Sequence, residues 1–436
     1  SALPQLGFTK VTYRVPNRMT EGYGLSAAIV EQLAEQQVGL ILTVDNGIAA
    51  HDAAIRAAEL GIKLVITDHH LAPASLPPAA AIVNPNQPGC EFPSKALAGV
   101  GVAFYLLAAL RARLRETGEQ TPNLADFLDL VALGTVADVV PLDKNNRILV
   151  QQGLNRIKAG QCRAGIRALI EQSGRDIAKL QASDLGFAIG PRINAAGRLD
   201  DISLGIECLL APSERAQQLA QTLCDLNKQR REIEADMKAE AESIVSQLQL
   251  DNQGQLPNVI VLYNEQWHSG VIGIVAGRVK ERTHRPVIVF AKESDTHLKG
   301  SARSIDGVHI RDLLERVDTQ YPDVIERFGG HAMAAGLSLA EAQLNTFQSA
   351  VSQAAADWLT DEVVQPVIWS DGQLSDKQLT VEFIQQLERF GPWGQKFPEP
   401  IFDGEFRILQ QRIVGEKHLK LVVQSPEGGI FDAISF

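Results

Sequence analysis

The sequence predicts an α/β protein built on a parallel β-sheet, with a second, smaller α/β domain and a partial β-barrel after it. Three observations support this fold class. Short apolar runs alternate with amphipathic segments over the first 150 residues, one long charged helix follows, and the final segment alternates polar and apolar side chains. Fully apolar strands separated by helices are typical of parallel sheets that are covered on both faces.

Three buried strands are predicted in the first part of the chain, at Val38 to Val44, Lys63 to Thr67 and Ala80 to Val83. Amphipathic spacing predicts helices around them, at residues 49–60, 98–115 and 123–137. Polar residues directly follow the first two strands. Because open α/β sheets bind ligands at the carboxyl ends of their strands, these positions are candidates for a functional site.

A long connecting helix is predicted from an N-cap at Ser213 to Leu250, because apolar residues recur there at spacings of three, four or seven. At 1.5 Å per residue this helix is about 55 Å long. The chain then divides into a first domain at residues 1–211, the connecting helix at 212–250, a second α/β domain at 251–362 and a partial barrel at 363–436.

The two later domains have different sequence patterns. The second α/β domain has predicted strands at 259–263, 286–290 and 298–304 and predicted helices near 271–282, 309–317 and 340–358. After Pro366 the alternation of polar and apolar residues has a period of two, which predicts the opening strands of a small barrel.

The composition is that of an ordinary globular protein, with 45% hydrophobic and 21% charged residues. No apolar run reaches the roughly 18 residues of a membrane helix, so no membrane partner is expected. The cysteines at 90, 162, 208 and 224 form no metal or disulfide pattern, which fits a reducing cytoplasm. The net charge of −11 weakly opposes nucleic-acid binding, although bound cations would supply positive charge.

Five acidic and histidine residues of the first domain lie at the ends of predicted elements. Asp45 follows the first strand, Asp68, His69 and His70 follow the second, and Asp138 ends a helix. Carboxylate and imidazole ligands together suit Mn²⁺, Mg²⁺ or a related cation. The alternative is structural, with a plain turn after Asp45 and Asp68 as the N-cap of a helix.

The segments around these residues resemble a known family. VDNG at 44–47, TDHH at 67–70 and GTVADVVPL at 134–142 resemble the second, third and fourth motifs of the DHH phosphoesterase superfamily. The first motif of that family, an Asp-x-Asp pair, is absent, and residues 6–26 resemble the segment that follows it. We therefore expect a fragment truncated at both ends, with activity impaired by the missing carboxylates.

The resemblance implies a role for each of the five residues. Asp45, His69 and Asp138 would be metal ligands, and Asp68 would orient a neighbouring histidine. His70 would face the scissile phosphate or a second ion. The implied chemistry is hydrolysis with two Mn²⁺ or Mg²⁺ ions, which activate water and stabilise the attacking and leaving oxygens.

The second domain resembles the DHHA1 domain that accompanies DHH domains, through SARS at 301–304 and GGH at 329–331. The resemblance implies that Ser301 and Arg303 hold a terminal phosphate, since guanidinium binds phosphate oxygens in pairs. Gly329 and Gly330 would admit a phosphate close to the backbone, and His331 would donate near the scissile group. The alternative is a plain Gly-Gly turn and a solvated arginine.

Two further segments carry candidate nucleic-acid contacts. GPRINAAGRLDD at 190–201 is predicted to be a loop in which Arg192, Asn194 and Arg198 contact phosphate, or otherwise a helix-capping loop with solvated arginines. Residues 391–406 resemble an OB-fold module, in which Trp393 would stack on bases and Lys396 would supply charge. Packing in the core is the alternative for Trp393.

The resemblance implies a 5′→3′ exonuclease that degrades single-stranded DNA in recombination and repair. Single-stranded DNA is the expected partner, other recombination and repair proteins are candidates, and a monomer is expected. One alternative is a DHH phosphodiesterase for short oligonucleotides or cyclic dinucleotides, against which the long helix and the barrel argue. The other is a catalytically inactive protein that binds single strands, which the absent Asp-x-Asp pair permits.

Overall fold

The computed structural model describes residues 2–16, 21–22, 24–251, 253–360, 363–415 and 418–436. The chain forms two compact units. Unit 1 comprises Ser1–Asn194, Ile202–Thr222 and Trp369–Phe436, and unit 2 comprises Ala195–Asp201 and Leu223–Ile368. Among the described helices, none is both long and apolar enough to cross a membrane.

Unit 1 contains a three-stranded parallel sheet in the order β1-β2-β3. Its strands are β1 (Leu40–Val44), β2 (Lys63–Thr67) and β3 (Ala81–Val83). Leu40 lies opposite Lys63, and Val65 lies opposite Ala81. The predicted parallel sheet is confirmed, and its register brings the ends of β1 and β2 to one edge.

Helices surround this sheet and extend the unit. They are α1 (Ala2–Gln5), α2 (Ala27–Glu35), α3 (His51–Glu59), α4 (Gly99–Glu116), α5 (Leu128–Ala137), α6 (Lys144–Lys158), α7 (Ala164–Gln172), α8 (Ala182–Asp184), α9 (Gly190–Leu199) and α10 (Ser203–Leu210). The alanine face of α3, at residues 53, 54 and 57, packs on the apolar side chains of β1 and β2. These small side chains allow α3 to lie close to the sheet.

Glycines permit equally close contacts among the helices. A Cβ atom added to Gly153 in α6 would lie 2.3 Å from the Leu128 carbonyl oxygen and 2.4 Å from the Ala132 Cβ atom. A Cβ atom at Gly165 would lie 2.0 Å from the Cys208 carbonyl oxygen. No flexible side chain yields at either contact, so both positions require glycine.

The segment at 190–201 is helical, so the predicted loop is wrong. Residues Gly190–Leu199 form α9, and a π-helix at Leu185–Ile189 leads into it. Gly190 and Pro191 suggested a break in the helix, but the wider hydrogen-bond spacing of the π-helix accommodates a proline that has no N–H to donate. The candidate residues Arg192, Asn194 and Arg198 therefore lie on a helix.

Unit 2 is built on the long helix and a mixed sheet. Helix α11 (Ser213–Asp251) confirms the prediction of one long helix, although it begins at Ser213 itself, so Ser213 is not its N-cap. The sheet has the order β4-β5-β6-β8-β7, with β4 and β5 parallel and the other neighbours antiparallel.

The remaining elements of unit 2 match the predicted α/β pattern and add two strands to it. They are β4 (Ile260–Tyr263), α12 (Ile272–Thr283), β5 (Val287–Lys292), β6 (His297–Arg303), α13 (Ile310–Gln320), β7 (Arg327–Gly330), β8 (Ala334–Ala340) and α14 (Leu344–Ala355). Phe290 and Phe347 meet edge to face in the core. Strands β7 and β8 were not predicted, and β7 contains the Gly329-Gly330 pair.

The last segment belongs to unit 1 and holds a three-stranded antiparallel sheet. Its elements are α15 (Val381–Phe390), β9 (Arg407–Val414), β10 (His418–Gln424) and β11 (Ile430–Ser435). The strands confirm the partial barrel, whereas α15 was not predicted. The backbone N–H of Leu142 donates to the carbonyl oxygen of Gln395, so this segment is bonded to the helical part of unit 1.

Two glycine-to-alanine substitutions should change stability in opposite directions. Gly153→Ala should destabilise the protein by about 1–3 kcal/mol, because the methyl group meets backbone and a fixed Cβ atom. Gly277→Ala, in α12 with no atom within 4 Å of its added Cβ, should stabilise by about 1 kcal/mol through helix propensity. Calorimetric unfolding of both variants measures the difference, and equal unfolding temperatures would contradict the packing described here.

Candidate metal centre

The loop after β1 places Asp45 beside the end of β2. The Asp45 N–H donates to the Thr67 carbonyl oxygen over 3.0 Å, and its backbone is left-handed with φ 65°. Asp accepts this conformation better than most residues with a Cβ atom. Gly47, with φ 111°, completes the turn. The carboxylate is thus fixed at the sheet edge by the backbone on both sides of it.

Asp68 is the buried anchor of the same edge. Its Oδ2 atom accepts the Ile48 N–H at 2.9 Å, and its Oδ1 atom accepts the backbone N–H groups of His69 and His70 at 2.8 and 3.2 Å. The Nδ1 atom of His70 lies 2.6 Å from the same oxygen. Burial alone would raise the pKa of Asp68, but the bonds from His70 and Ile48 outweigh it and lower the pKa.

The imidazole of His69 lies between two carboxylates. Its Nε2 atom is 3.0 Å from Asp45 Oδ1 and 3.4 Å from Asp138 Oδ2. Asp138 follows the last residue of α5, so the three side chains come from three different elements. The structure brings together the three residues that the sequence analysis proposed as metal ligands, and their role as ligands stays a prediction.

The proximity of these groups shifts their proton affinities. Burial alone would lower the pKa of His69, but the carboxylates of Asp45 and Asp138 outweigh it and raise the pKa. Burial and the charge of Asp45 raise the pKa of Asp138, against the opposing effect of His69. The hydrogen bond with Asp68 raises the pKa of His70. The raised pKa values of the two histidines thus reflect their carboxylate neighbours, whereas that of Asp138 reflects mainly its burial.

The atoms of this cluster fit a bound cation. Asp45 Oδ1 and His69 Nε2 are buried, and among the described residues neither is satisfied by a hydrogen bond of ordinary geometry. Buried polar atoms without a partner are rare and call for an explanation. Asp45, His69 and His70 also each offer a ligand atom within 4.8 Å of the others, and Asp138 lies outside this set. Oxygen and imidazole donors at this spacing suit Mn²⁺ or Mg²⁺.

Two asparagines that the sequence analysis missed hold the histidine backbone. Asn84 Nδ2 donates to the His70 carbonyl oxygen at 2.9 Å, and Asn86 Nδ2 donates to that of His69 at 2.6 Å. Asn84 is buried, and its Oδ1 atom accepts the Asn86 N–H. Asn84 directly follows β3, so the end of the third predicted strand was the signal that could have identified it.

Gly99, at the start of α4, is the second omission. A Cβ atom there would lie 2.5 Å from both Cβ and Oδ1 of Asp45. The start of this helix therefore presses directly against the carboxylate, and only glycine leaves Asp45 its position. A single glycine within an apolar segment gives no sequence signal for such a contact.

Comparison with known proteins connects this geometry to a family. The model of the DHH family N-terminal domain matches residues 1–135, that of the DHHA1 domain matches 256–357, and that of the RecJ OB domain matches 370–436. The single-stranded-DNA-specific exonuclease RecJ of Dickeya dadantii is 56% identical over 443 residues, which cover 100% of this chain and 77% of that protein.

The chain belongs to the RecJ family.

Two solved structures of RecJ from Thermus thermophilus agree with this assignment. The complex with Mn²⁺ matches with a TM-score of 0.77 and 31% identity, over 94% of this chain and 62% of that one. The complex with Mg²⁺ matches with a TM-score of 0.69 and 30% identity, over 91% of this chain and 62% of that one. The cations in these two relatives are of the kind that the cluster at Asp45 fits.

In unit 2 of this RecJ family member, Arg303 ends β6 without an ion-pair partner among the described residues. Its Nη1 atom donates to Ser301 Oγ at 3.0 Å and to the Ala302 carbonyl oxygen at 2.8 Å. A Cβ atom at Gly273, in the first turn of α12, would lie 2.7 Å from Arg303 Nη2. Burial lowers the pKa of this guanidinium. A buried cation beside a helix N-terminus favours an anion.

The GGH segment lies at the end of β7. Gly330 has φ 152°, and a Cβ atom there would lie 2.4 Å from the Ala334 carbonyl oxygen. The exposed His331 donates its backbone N–H to the same oxygen. Gly330 is thus needed for the tight reversal into β8, and the proposed phosphate contacts of Gly329, Gly330 and His331 stay predictions.

The remaining candidates have the following contacts. Arg192 Nη1 donates to the Ala188 carbonyl oxygen at 2.6 Å, Arg198 Nη1 donates to that of Gly270 at 2.9 Å, and Asn194 is exposed.

Trp393 stacks on Phe397 with ring centroids 4.9 Å apart, and the Arg147 guanidinium lies 3.9 Å from the Phe397 ring centroid. This stacking favours packing for Trp393, whereas Lys396 is exposed. The nucleic-acid roles of these residues remain predictions.

Replacing Gly99 should weaken cation binding without unfolding the protein. In Gly99→Ala the new methyl group displaces the Asp45 carboxylate, so the affinity for Mn²⁺ should fall about tenfold or more, as for other changes in the support of metal ligands. Gly101→Ala is the matched control, because its Cβ atom meets only the flexible end of Leu97. Titration calorimetry with Mn²⁺ measures both affinities, and equal losses would contradict the specific contact with Asp45.

Proposed function

We propose that this chain is a divalent-cation-dependent exonuclease that hydrolyses single-stranded DNA from its 5′ end, in DNA recombination and repair. The observation that carries the proposal is the position of His69, whose Nε2 atom lies 3.0 Å from Asp45 Oδ1 and 3.4 Å from Asp138 Oδ2. The relatives with this domain order are single-stranded-DNA-specific exonucleases.

The cation is Mn²⁺ or Mg²⁺, and Asp45, His69 and Asp138 would hold it. When bound, such an ion supplies Lewis acidity and positive charge for the hydrolysis of a phosphodiester. The carboxylates and the imidazole fix its position, and the Asn84 and Asn86 bonds fix the backbone that carries His69. A requirement for a second ion is part of the proposal.

His70 is the residue of the centre that is best placed to contact substrate. Its Nδ1 atom bonds to Asp68, so Nε2 is the nitrogen that remains for a phosphate oxygen. The side chain is 49% exposed, whereas that of Asp68 is 1% exposed. Asp68 is therefore a positioning residue, and its bonds to the backbone of the same loop hold His70 toward solvent.

Arg303 and Ser301 form the proposed site for the 5′ phosphate. The guanidinium, the hydroxyl and the first turn of α12 present hydrogen-bond donors to one small region. Guanidinium groups bind phosphate oxygens with geometric specificity. A terminal phosphate carries more charge than an internal one, so this site would distinguish the end of a strand from its interior.

The other predicted contacts complete the proposal. Arg192, Asn194 and Arg198 would contact the phosphate backbone of the strand. His331, with Gly329 and Gly330, would lie near the scissile group. Trp393 and Lys396 would hold the strand on the OB module. The carbonyl bonds of Arg192 and Arg198 fix the orientation of their guanidinium groups. The proposal further includes a monomer that acts in the cytoplasm with other recombination and repair proteins as partners.

Asp138→Ala tests the metal centre. In the full-length protein, loss of this carboxylate should lower Mn²⁺-dependent cleavage of a long 5′-phosphorylated single strand more than about a hundredfold, which exceeds the effect of changing a hydrogen-bond partner of a metal ligand. Asp52→Ala, which removes an exposed carboxylate from α3, should cleave normally. Undiminished cleavage by Asp138→Ala would remove this residue from the centre.

Faster cleavage of dinucleotides than of long strands would favour a short-substrate phosphodiesterase.

Arg303→Ala tests the end site. Hydrogen bonds to charged groups contribute about 1.5–3 kcal/mol, so the preference for a 5′-phosphate over a 5′-hydroxyl strand should fall about tenfold or more. Arg282→Ala removes a cation at the other end of α12, where it pairs with Glu242 on the surface, and should keep the preference. Cleavage rates of strands labelled at either end provide the measurement. An unchanged preference in Arg303→Ala would contradict the anchor role.

A further inference from the structure

Phe187 is an aromatic side chain exposed on an otherwise buried helical segment. It is 79% exposed, whereas Leu185, Ala188 and Ile189 around it are buried. An isolated exposed apolar residue is common on proteins and needs no explanation by itself. The position of Phe187 and the backbone around it distinguish it from such residues.

Phe187 lies within a π-helix that precedes Pro191. Proline has no N–H, so it cannot bond to the carbonyl oxygen four residues earlier, which is that of Phe187. The Gly190 N–H instead donates to the Leu185 carbonyl oxygen, five residues earlier, and Arg192 Nη1 takes the Ala188 carbonyl oxygen. Single π-turns within helices occur frequently at functional sites.

Two glycines place this segment against the helix that carries Asp138. A Cβ atom at Gly186 would lie 3.2 Å from Val136 Cγ1, and one at Gly190 would lie 3.3 Å from the Ala137 Cβ atom. Val136 and Ala137 form the last turn of α5, and Asp138 follows them. The segment that carries Phe187 therefore packs against the helix end that precedes Asp138.

Exposed apolar side chains also directly follow two residues of that centre. Val139 follows Asp138, is 64% exposed and has a left-handed backbone with φ 59°. This conformation is strained for a β-branched residue, and such strain concentrates at functional sites. Leu71 follows His70 and is 82% exposed. Leu71 and Val139 thus adjoin residues of the centre in sequence, and Phe187 lies on the segment that packs against the last turn of α5.

We propose that Phe187 is a stacking platform for a base that flanks the scissile phosphate of the single-stranded substrate. This inference rests on the proposed function. A strand whose phosphate lies at the metal centre has unpaired bases beside it, and their faces are free to stack. An aromatic ring binds every base through its π-face, so the contact is independent of sequence. Val139 and Leu71 would contact the sugar and the edge of the same base.

Variants of Phe187 combined with altered DNA test this inference. On a 5′-phosphorylated single strand with Mn²⁺, Phe187→Ala should lower kcat/KM about five- to hundredfold, the range for loss of one base–aromatic stack. The loss should lie mainly in KM, Phe187→Trp should restore most of it, and Phe187→Leu should not. Ile148→Ala, which removes another exposed apolar side chain of unit 1, should match the parent protein.

A series of substrates, each with one abasic residue at a different position from the 5′ end, distinguishes loss of stacking from a general structural effect of the substitution. At one or two positions the parent protein and Phe187→Ala should have equal kcat/KM, because the base that Phe187 contacts is absent. The same deficit of Phe187→Ala at every position would overturn the proposal, and so would parent-like cleavage by this variant of intact DNA.

Binding of Mn²⁺ distinguishes failure of this inference from failure of the proposed function. Phe187→Ala should bind Mn²⁺ like the parent protein, because Phe187 supplies no donor atom to the centre. A reduced affinity in this variant would indicate that it distorts α5 and would overturn the stacking role. If the parent protein itself did not cleave single strands, the proposed function would fail, independently of Phe187.

Discussion

The candidate centre depends on a carboxylate that is buried at the edge of a parallel sheet. An ionised group can remain there only if hydrogen bonds replace its lost hydration. Asp68 meets this condition with the N–H groups of Ile48, His69 and His70 and with the His70 ring. Because those donors lie in the loops after β1 and β2, satisfying the buried charge fixes both loops. The positions of Asp45 and of both histidines follow from this network.

The two units show opposite solutions to the placement of charge. Unit 1 crowds the carboxylates of Asp45 and Asp138 around His69, which creates a demand for positive charge. In unit 2 the half-buried Arg303 has no carboxylate partner among the residues described there, which creates a demand for negative charge. A net charge of −11 conceals this division, since it sums over groups whose local surroundings differ in sign. Local charge is therefore a better guide to the partner than net charge.

Much of the fold could be predicted because the spacing and the length of the apolar runs determine which segments form strands and which form helices. Strand β2 and the long helix were predicted closely, and the three ligand candidates were found because each ends an element. The helix Gly190–Leu199 was not predicted, because Gly190 and Pro191 interrupt most helices. Here a π-turn accommodates them. Helix α15 was not predicted, because it lies within the segment after Pro366 that was interpreted as β-structure. Asn84 and Gly99 were missed because their roles arise from contacts distant in sequence, which a local pattern does not contain.

The π-turn before α9 also fixes a rotational phase. Residues of an α-helix advance by about 100° each, since 3.6 residues complete one turn. The wider π-turn takes up one extra residue within about one turn, because its hydrogen bond spans five residues instead of four. The helix after it therefore keeps nearly the direction that an uninterrupted α-helix would give it. A deletion in this stretch would change which side chain occupies the position of Phe187, with the directions of Arg192 and Asn194 nearly unchanged.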